Sequence, residues 1–377
     1  VSTQSTGTQI MKQQFKKMQS LGKGAFGQVF QVQRISDQKL YAMKEINVEY
    51  MKPCERQDQL NEIRIMASLY HPNILEFYEA FVENGKLYII CQLCEQGDLK
   101  GLIEQHKKSK TRLTEEQIWN VLLQTLCGLS YLHHHKILHR DIKAQNILIN
   151  NDLIKIADFG VSKVLHSDFT ATMIGTPLYI SPEIWRQQKY NEKTDVYSLG
   201  CLIYELCQLE PPYQGSNIQS LKQNILIGKV RPLPKQYSNE LQVIINLMIN
   251  TNMGKRPKID QLIENPFVQQ RISIYPNFNT NFIPTTEKQN EFDISTYIQT
   301  NLLDTIVVNA KLNRIMNGNV GGANPNSKYY REKEKENQKQ LLTILPKLQY
   351  KNRMLQQQEL QNVKRVTSCF KFTKSIK

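Results

Sequence analysis

Residues 137–160, ILHRDIKAQNIL followed by INNDLIKIADFG, constrain the fold of this chain more than any other stretch. Apolar positions alternate at Ile147 and Ile149 and again at Ile154 and Ile156, on either side of the turn formers Asn150, Asn151 and Asp152. That pattern predicts two short strands joined by a tight turn. Folding back in this way brings Asp158 beside Asn146, with Asp141 and Lys143 just upstream. An Asp carboxylate and an Asn carbonyl suit a hard cation such as magnesium, which keeps part of its coordination for phosphates. A single Asp in such a place is more often a turn or cap residue, so the information lies in the whole set being in register.

Upstream, the stretch from Met18 to Phe30 reads as a strand, a glycine loop and a second strand. The loop residues are Leu21, Gly22, Lys23, Gly24, Ala25, Phe26 and Gly27, and the second strand continues through Val29 and Val32. Dinucleotide-binding folds share the G-x-G-x-x-G spacing, but there a helix follows the loop. A strand following it favours a hairpin lid whose glycines let the backbone approach phosphates. Leu40 to Lys44 is another strand, passing Ala42 and ending in a lysine, and Leu60 to Met66 has helical periodicity with Glu62 at its centre. A surface salt bridge is the plain alternative for Lys44 and Glu62. Their joint occurrence between the glycine loop and residues 137–160 favours a functional pairing.

A chain of 377 residues suits a two-lobed unit plus an extension. It has no apolar run long enough to span a bilayer and is expected to be soluble or peripheral. Val1 to Met11 has no apolar core of the secretory kind. The formal charge is +14, and residues 273–377 carry sixteen Lys and Arg against eight Asp and Glu. Such a basic extension can bind an acidic surface, although a solvated charged face is the commoner explanation. Seven cysteines without framework spacing point to a reducing compartment. Cys91 and Cys94 have C-x-x-C spacing but no second pair, and the apolar run Leu87 to Ile90 before them reads as a strand. His133, His134 and His135 point in different directions on a helix end, which argues against a metal cluster.

His139-Arg140-Asp141, Asn146 five residues on and Asp158-Phe159-Gly160, with the glycine loop, Lys44 and Glu62, resemble the eukaryotic protein kinase catalytic core over about residues 15–271. The resemblance implies an α+β bilobal kinase fold. Its small β-sheet N-lobe with one regulatory helix would span 15–94, and its mainly helical C-lobe 95–271. Residues 115–135 read as a long C-lobe helix burying Trp119, Leu122, Leu123, Leu126 and Leu129. By resemblance Asp141 accepts the substrate hydroxyl proton, Lys143 is aimed at the transferred phosphate as in serine/threonine kinases, and Asn146 and Asp158 hold magnesium, with manganese as an alternative. The glycine loop, Val29, Ala42, Lys44, Leu148 and the backbone of Gln92 and Cys94 would bind ATP, with Glu62 fixing Lys44 and Cys91 as gatekeeper. Met66, Phe77, His139 and Phe159 would stack into a column joining the lobes.

The segment from Val161 to Glu183 looks like an activation segment closed by Ser-Pro-Glu. Thr172, then Thr170, is the candidate phosphorylation site for a phosphate clamped by Arg140. Thr176 would order the substrate loop. Asp195 would brace the catalytic loop, and Arg256 would pair with Glu183. Val161 directly after Asp-Phe-Gly suggests threonine acceptors over serine.

The stretches His71 to Ile74, Cys94 to Leu99, His139 to Leu148, Ile174 to Tyr179 and Gly200 to Cys207 look closest to the NIMA-related (Nek) kinases. Departures are Gln92 and Leu93 where Glu-Tyr is usual, Leu178 for Tyr, and Tyr197 for Trp. The resemblance implies protein Ser/Thr substrates and a cytoplasmic setting at the cytoskeleton, cilium or centrosome. Nucleic acid is not an expected partner. Residues 1–14 read as disordered, 272–327 as an Asn-rich linker, and 328–377 as a basic tail that is either a short coiled coil or a partly formed helix interrupted by Pro346. Such a tail would offer a cytoskeletal or coiled-coil contact. Two rival readings stay open: a pseudokinase scaffold, and a filament-binding protein driven by the tail.

Overall fold

Five strands rich in β-branched and aromatic residues form one antiparallel sheet in this computed structural model, which describes residues 14–24, 27–158 and 177–274. The strands are β1 (Phe15–Gly24), β2 (Gly27–Arg34), β3 (Leu40–Asn47), β4 (Phe77–Glu83) and β5 (Lys86–Gln92), in the spatial order β1-β2-β3-β5-β4. Strand alternation buries Tyr41 and Met43 of β3 with Phe15, Val32, Phe81, Tyr88 and Ile90. The same alternation turns Ala42 and Lys44 to the opposite face. Val29 is the partner of Lys44, and Cys91 is the partner of Ala42. Val29, Ala42, Lys44 and Cys91 therefore share one face of the sheet.

Helix α1 (Pro53–Ser68) sits against β4. Pro53 at its start needs no amide donor, and Glu55 accepts the Lys52 amide at 2.8 Å, so the first turn is capped. Its buried face carries Leu60, Ile63 and Met66, together with Glu62.

The larger lobe opens with α2 (Leu99–Ser109), capped by Asp98, and α3 (Glu115–His134), capped by reciprocal bonds between Thr114 and Gln117. Trp119, Leu122, Leu123, Leu126 and Leu129 of α3 are buried, as their spacing predicts. A 3-10 turn (Ala144–Asn146) leads into the hairpin β6 (Ile147–Asn150) and β7 (Leu153–Ile156), paired Ile147 to Ile156 and Ile149 to Ile154. Beyond a second 3-10 turn (Pro177–Tyr179) come α4 (Pro182–Trp185), α5 (Lys193–Gln208), α6 (Ile218–Ile227), α7 (Asn239–Met248), α8 (Ile259–Ile263) and α9 (Pro266–Ile274). Helix α5 is buried from Thr194 to Cys207, with α3 and α7 packed on it, and is the axis of this lobe. No described helix is long and apolar enough to cross a membrane.

The lobes are joined at a second place besides the chain crossing after β5. The Ile156 amide donates to Asn73 O and the Leu75 amide to Ile156 O, both at 2.9 Å. The Asn73 side-chain amide donates to Ile154 O at 3.0 Å and to Gln124 Oε1 at 2.9 Å.

Two boundaries differ from expectation. Gln14, expected within a disordered 1–14 segment, accepts the Ile35 amide at 2.9 Å and so extends the sheet's hydrogen bonding by one residue. Helix α9 runs on to Ile274, beyond the expected limit at 271, because buried Val268 anchors it and its later turns continue without a breaking residue. Residues 1–13 and 275–377, which hold the rest of the linker and the tail, lie outside the described residues.

Candidate active site

The β6–β7 hairpin performs the folding-back that its alternation predicts. The Ala157 amide donates to Asn146 O at 2.8 Å, which fixes the strand leading to Asp158 against the turn that carries Asn146. Asn146 is buried, and its side-chain amide donates to Asp141 twice, at 2.8 Å to the main-chain oxygen and at 2.9 Å to Oδ2. Lys143 Nζ donates to the same Oδ2 at 2.8 Å. Asp141 thus has one carboxylate oxygen fixed by two donors.

Asp158, in the left-handed backbone region at φ 60°, accepts from Lys44 Nζ at 2.5 Å. A non-glycine residue in that region is uncommon and here accompanies a functional geometry. The expected close pair of Lys44 with Glu62 is not made. Among the described residues Lys44 has Asp158 as its ion-pair partner, and buried Glu62 acts on it by charge at longer range. The backbone turn at Asp158 directs its carboxylate to the lysine, which accounts for the difference. Burial opposes the Lys44 ammonium, but the Asp158 and Glu62 carboxylates outweigh that effect and hold its pKa above the usual lysine range.

Cys91 lies close enough to this group for the Lys44, Asp158 and Glu62 charges to act on its thiol, and burial pushes that thiol up to about 12. Cys94, also mainly through burial, is raised to about 11. Leu148 of β6 sits in an isolated bridge with Asp98, and the Ile149 amide bonds Gly97 O at 2.9 Å. The chain crossing from Gln92 to Asp98 is thereby tied to the strand below it. The Gln92 amide is taken by Glu76 O at 2.9 Å, while its carbonyl belongs to the segment expected to face a base.

At the lid, no described residue lies within 4 Å of a Cβ added at Gly22. Gly27 is the opposite case: a Cβ there would lie 2.1 Å from Glu45 O. Leu21, Lys23 and Gly24 extend β1 to the turn. Ala25 and Phe26 lie outside the described residues, as do Phe159, Gly160, Thr170, Thr172 and Thr176.

The loop holding Asp141 is set by Asp195 of α5. Its two oxygens take the His139 amide at 3.0 Å and the Arg140 amide at 2.8 Å. His133 Nε2 adds a third contact, at 2.8 Å to Oδ2. Burial raises the Asp195 carboxyl, but the His133 contact, His139 and these amides overcome it and hold its pKa below the usual range. His139 is itself fully buried, and its ring meets the Asp141 amide at 3.2 Å and Ala157 O at 3.1 Å. Burial is the main reason its pKa is lowered. Met66 is buried and Phe77 partly so in the same core cluster. Glu183 and Arg256 make the expected pair, at 2.7 and 3.0 Å.

Arg140 is in the left-handed region at φ 68°, its guanidinium over the Tyr190 ring at 5.8 Å and its Nε buried with no hydrogen-bond partner among the described residues. The three histidines go separate ways: His133 to Asp195, His134 to Ser130, His135 to Tyr131. No group of three metal-ligating side chains of the His/Cys/Asp/Glu type occurs among the described residues. His133 was missed as a bracing residue because its partner is 62 positions away and nothing local marks it.

The donor set fits a divalent ion and a triphosphate. Asn146 has its amide nitrogen committed to Asp141, which leaves Oδ1 for a cation, and Asp158 supplies a carboxylate beside the Lys44 ammonium.

The protein kinase domain model matches residues 15–268. The chain is 40% identical over 274 residues to the probable serine/threonine-protein kinase nek2 of Dictyostelium discoideum, an alignment covering 70% of this chain and 66% of that protein. It is 37% identical over 263 residues to mouse serine/threonine-protein kinase Nek1, covering 69% of this chain and 22% of the relative. To human serine/threonine-protein kinase Nek2 it is 35% identical over 269 residues, covering 69% and 60%. The matched part thus spans from about a fifth to just under two thirds of these relatives' length. This arrangement of side chains, inside a domain match of this extent and beside these relatives, makes the chain a member of the protein kinase family, of the Nek-like kind.

Proposed function

We propose that the protein transfers the γ-phosphoryl group of ATP to serine or threonine hydroxyls of protein substrates, using magnesium. The observation that carries this reading is that the Asp141–Lys143–Asn146 cluster is tied, through the Ala157 amide bonded to Asn146 O, to the strand end that brings Asp158 onto Lys44. Asp141, held by Lys143 and Asn146, accepts the hydroxyl proton and orients the nucleophile. Lys143 neutralises charge on the phosphoryl group in flight, and Lys44 anchors the neighbouring phosphates. A bound divalent ion would supply further charge neutralisation, held by Asn146 and Asp158. The glycine loop, Val29, Ala42, Leu148 and the backbone of Gln92 and Cys94 form the nucleotide's walls.

Activation follows phosphorylation of Thr172, or of Thr170, with Arg140 as the clamp. An unsatisfied buried Nε on Arg140 supports this, since phosphate offers strong acceptors to such a group. Threonine acceptors are preferred over serine on the strength of Val161. The linker 272–327 and basic tail 328–377 serve a cytoskeletal or coiled-coil contact, with a cytoplasmic role at microtubules, cilium or centrosome in the cell cycle. The relatives' names support the kinase type alone.

The deciding experiment is a radiolabelled-ATP assay on generic protein substrates with wild type beside Asp141→Asn, followed by phosphosite mapping. Turnover lost in Asp141→Asn and a phosphate at Thr172 or Thr170 are expected. No labelling above background by either protein would reject the reading in favour of a scaffold, and equal labelling by both would remove Asp141 from its role.

A further inference from the structure

One buried carboxylate in the larger lobe has no part in phosphoryl transfer. Glu205 of α5 has a side chain only 3% exposed, among the buried Leu202, Ile203 and Leu206. Such a group is costly unless paired. Its Oε2 accepts from the Tyr179 hydroxyl, and its Oε1 lies 3.5 Å from Lys100 Nζ. The second contact is loose, longer than the roughly 2.7–3.2 Å of a good hydrogen bond. The same ammonium also reaches Glu104 Oε1 at 3.2 Å, one turn along α2. Lys100 is 35% exposed, so this single side chain meets solvent on one side and covers the carboxylate on the other.

The place of this pair matters as much as its chemistry. The Tyr179 hydroxyl that holds Glu205 also meets the backbone of Ala144, three residues after Asp141. Helix α2, which carries Lys100, packs on the Ala144–Asn146 turn. A protein segment presenting a hydroxyl to Asp141 continues several residues on either side at about 3.3 Å per residue. The ground between the catalytic loop and the start of α2 lies within that reach.

Resting on the kinase reading above, the geometry points to Lys100 as a specificity-determining residue that covers Glu205 and so discriminates against basic side chains in the acceptor peptide. An arginine or lysine arriving there must displace an ammonium held by two carboxylates, and like charges side by side are disfavoured. Without Lys100 the Glu205 carboxylate is bare and attracts what it formerly turned away. Selection by an obstructing charge needs no contact to the preferred peptide.

The test compares two acceptor peptides that differ only in neutral against arginine residues flanking one threonine. Phosphorylation and binding by fluorescence anisotropy are both measured on the full chain. In Lys100→Ala the preference for the arginine peptide over the neutral one is expected to rise about tenfold relative to wild type. In Lys100→Ala/Glu205→Gln the rise should vanish. Lys100→Met keeps the aliphatic stem and serves if the alanine variant does not fold, while Lys107→Ala, which removes a lysine bound to Glu104 on the same helix, should change nothing. An unchanged ratio, a rise that survives Glu205→Gln, or the same rise in Lys107→Ala would each overturn the proposal. Absence of turnover with every peptide would sink the kinase reading, and the binding ratios would still decide the role of Lys100.

Discussion

Arg256 Nη1 lies 2.7 Å from Glu183 Oε1 in the interior of the larger lobe, with the two side chains 0% and 3% exposed. The guanidinium also donates to Lys193 O and to Asn250 O, so α4, α5 and the segment before α8 meet on one cation. Breaking such a pair by removing one partner leaves a buried charge unmatched. Arg256→Ala should therefore lower unfolding free energy by about 3–5 kcal/mol, measured by denaturant titration. A loss below about 1 kcal/mol would mean the pair is dispensable.

The same pair has a pH signature. Burial pushes the Glu183 carboxyl up, but the Arg256 hydrogen bonds and charge more than reverse this and lower its pKa. A carboxylate with a depressed folded pKa adds stability above its unfolded value and loses it as pH falls through the folded one. Melting temperature followed from pH 7 downward should drop for wild type below the ordinary glutamate range. In Glu183→Gln, already destabilised, that part of the acid slope should be shallower.

Asp195 predicts a kinetic effect without a binding effect. It holds the His139 and Arg140 amides, and Asp141 follows directly. Asp195→Ala should lower kcat on the order of a hundredfold, as expected when a catalytic group is misplaced by about 1 Å, with ATP affinity changed little. His133→Ala, which removes one of three contacts, should cost less. Parallel losses in affinity and kcat would point to unfolding of the loop instead.

Gly27 predicts a steric penalty. Its Cβ would sit 2.1 Å from Glu45 O, a main-chain atom that cannot swing away. Gly27→Ala should destabilise the smaller lobe by about 1–3 kcal/mol and raise the KM for ATP. Gly22→Ala, with no described residue within 4 Å of the added Cβ, should leave the melting temperature near wild type.

The thiols should divide sharply. Burial raises Cys91 to about 12 and Cys94 to about 11, while Cys54 is exposed. Since the thiolate is the reactive form, iodoacetamide at neutral pH should label Cys54 well before Cys91 or Cys94, read by peptide mass spectrometry. Early labelling of Cys91 would contradict its burial.

How much of this was legible in the sequence depends on the range of each interaction. The β6–β7 hairpin and the buried stripe of α3 follow from local periodicity, and both are found where the pattern puts them. The assignment of Lys44 and Asp158 to one nucleotide and metal site, 114 residues apart, came from motif resemblance, because no local rule spans that distance, and their direct contact was not foreseen. Resemblance also misled, since it paired Lys44 with Glu62 when the turn at Asp158 brings a nearer carboxylate. His133 and Lys100 were invisible as functional side chains. One looked like part of a histidine run and the other like an ordinary surface lysine, and their partners on α5 are known only once the chain has folded.

The bonds of Asn73 to Ile154 and Gln124, taken with the chain crossing from Gln92 to Asp98, fasten the smaller lobe at two separate points. A body pinned twice keeps one easy degree of freedom, rotation about the line through the pins. Nucleotide entry and departure then correspond to a rocking of the sheet about that axis, and loosening Asn73 would turn a hinge into a ball joint.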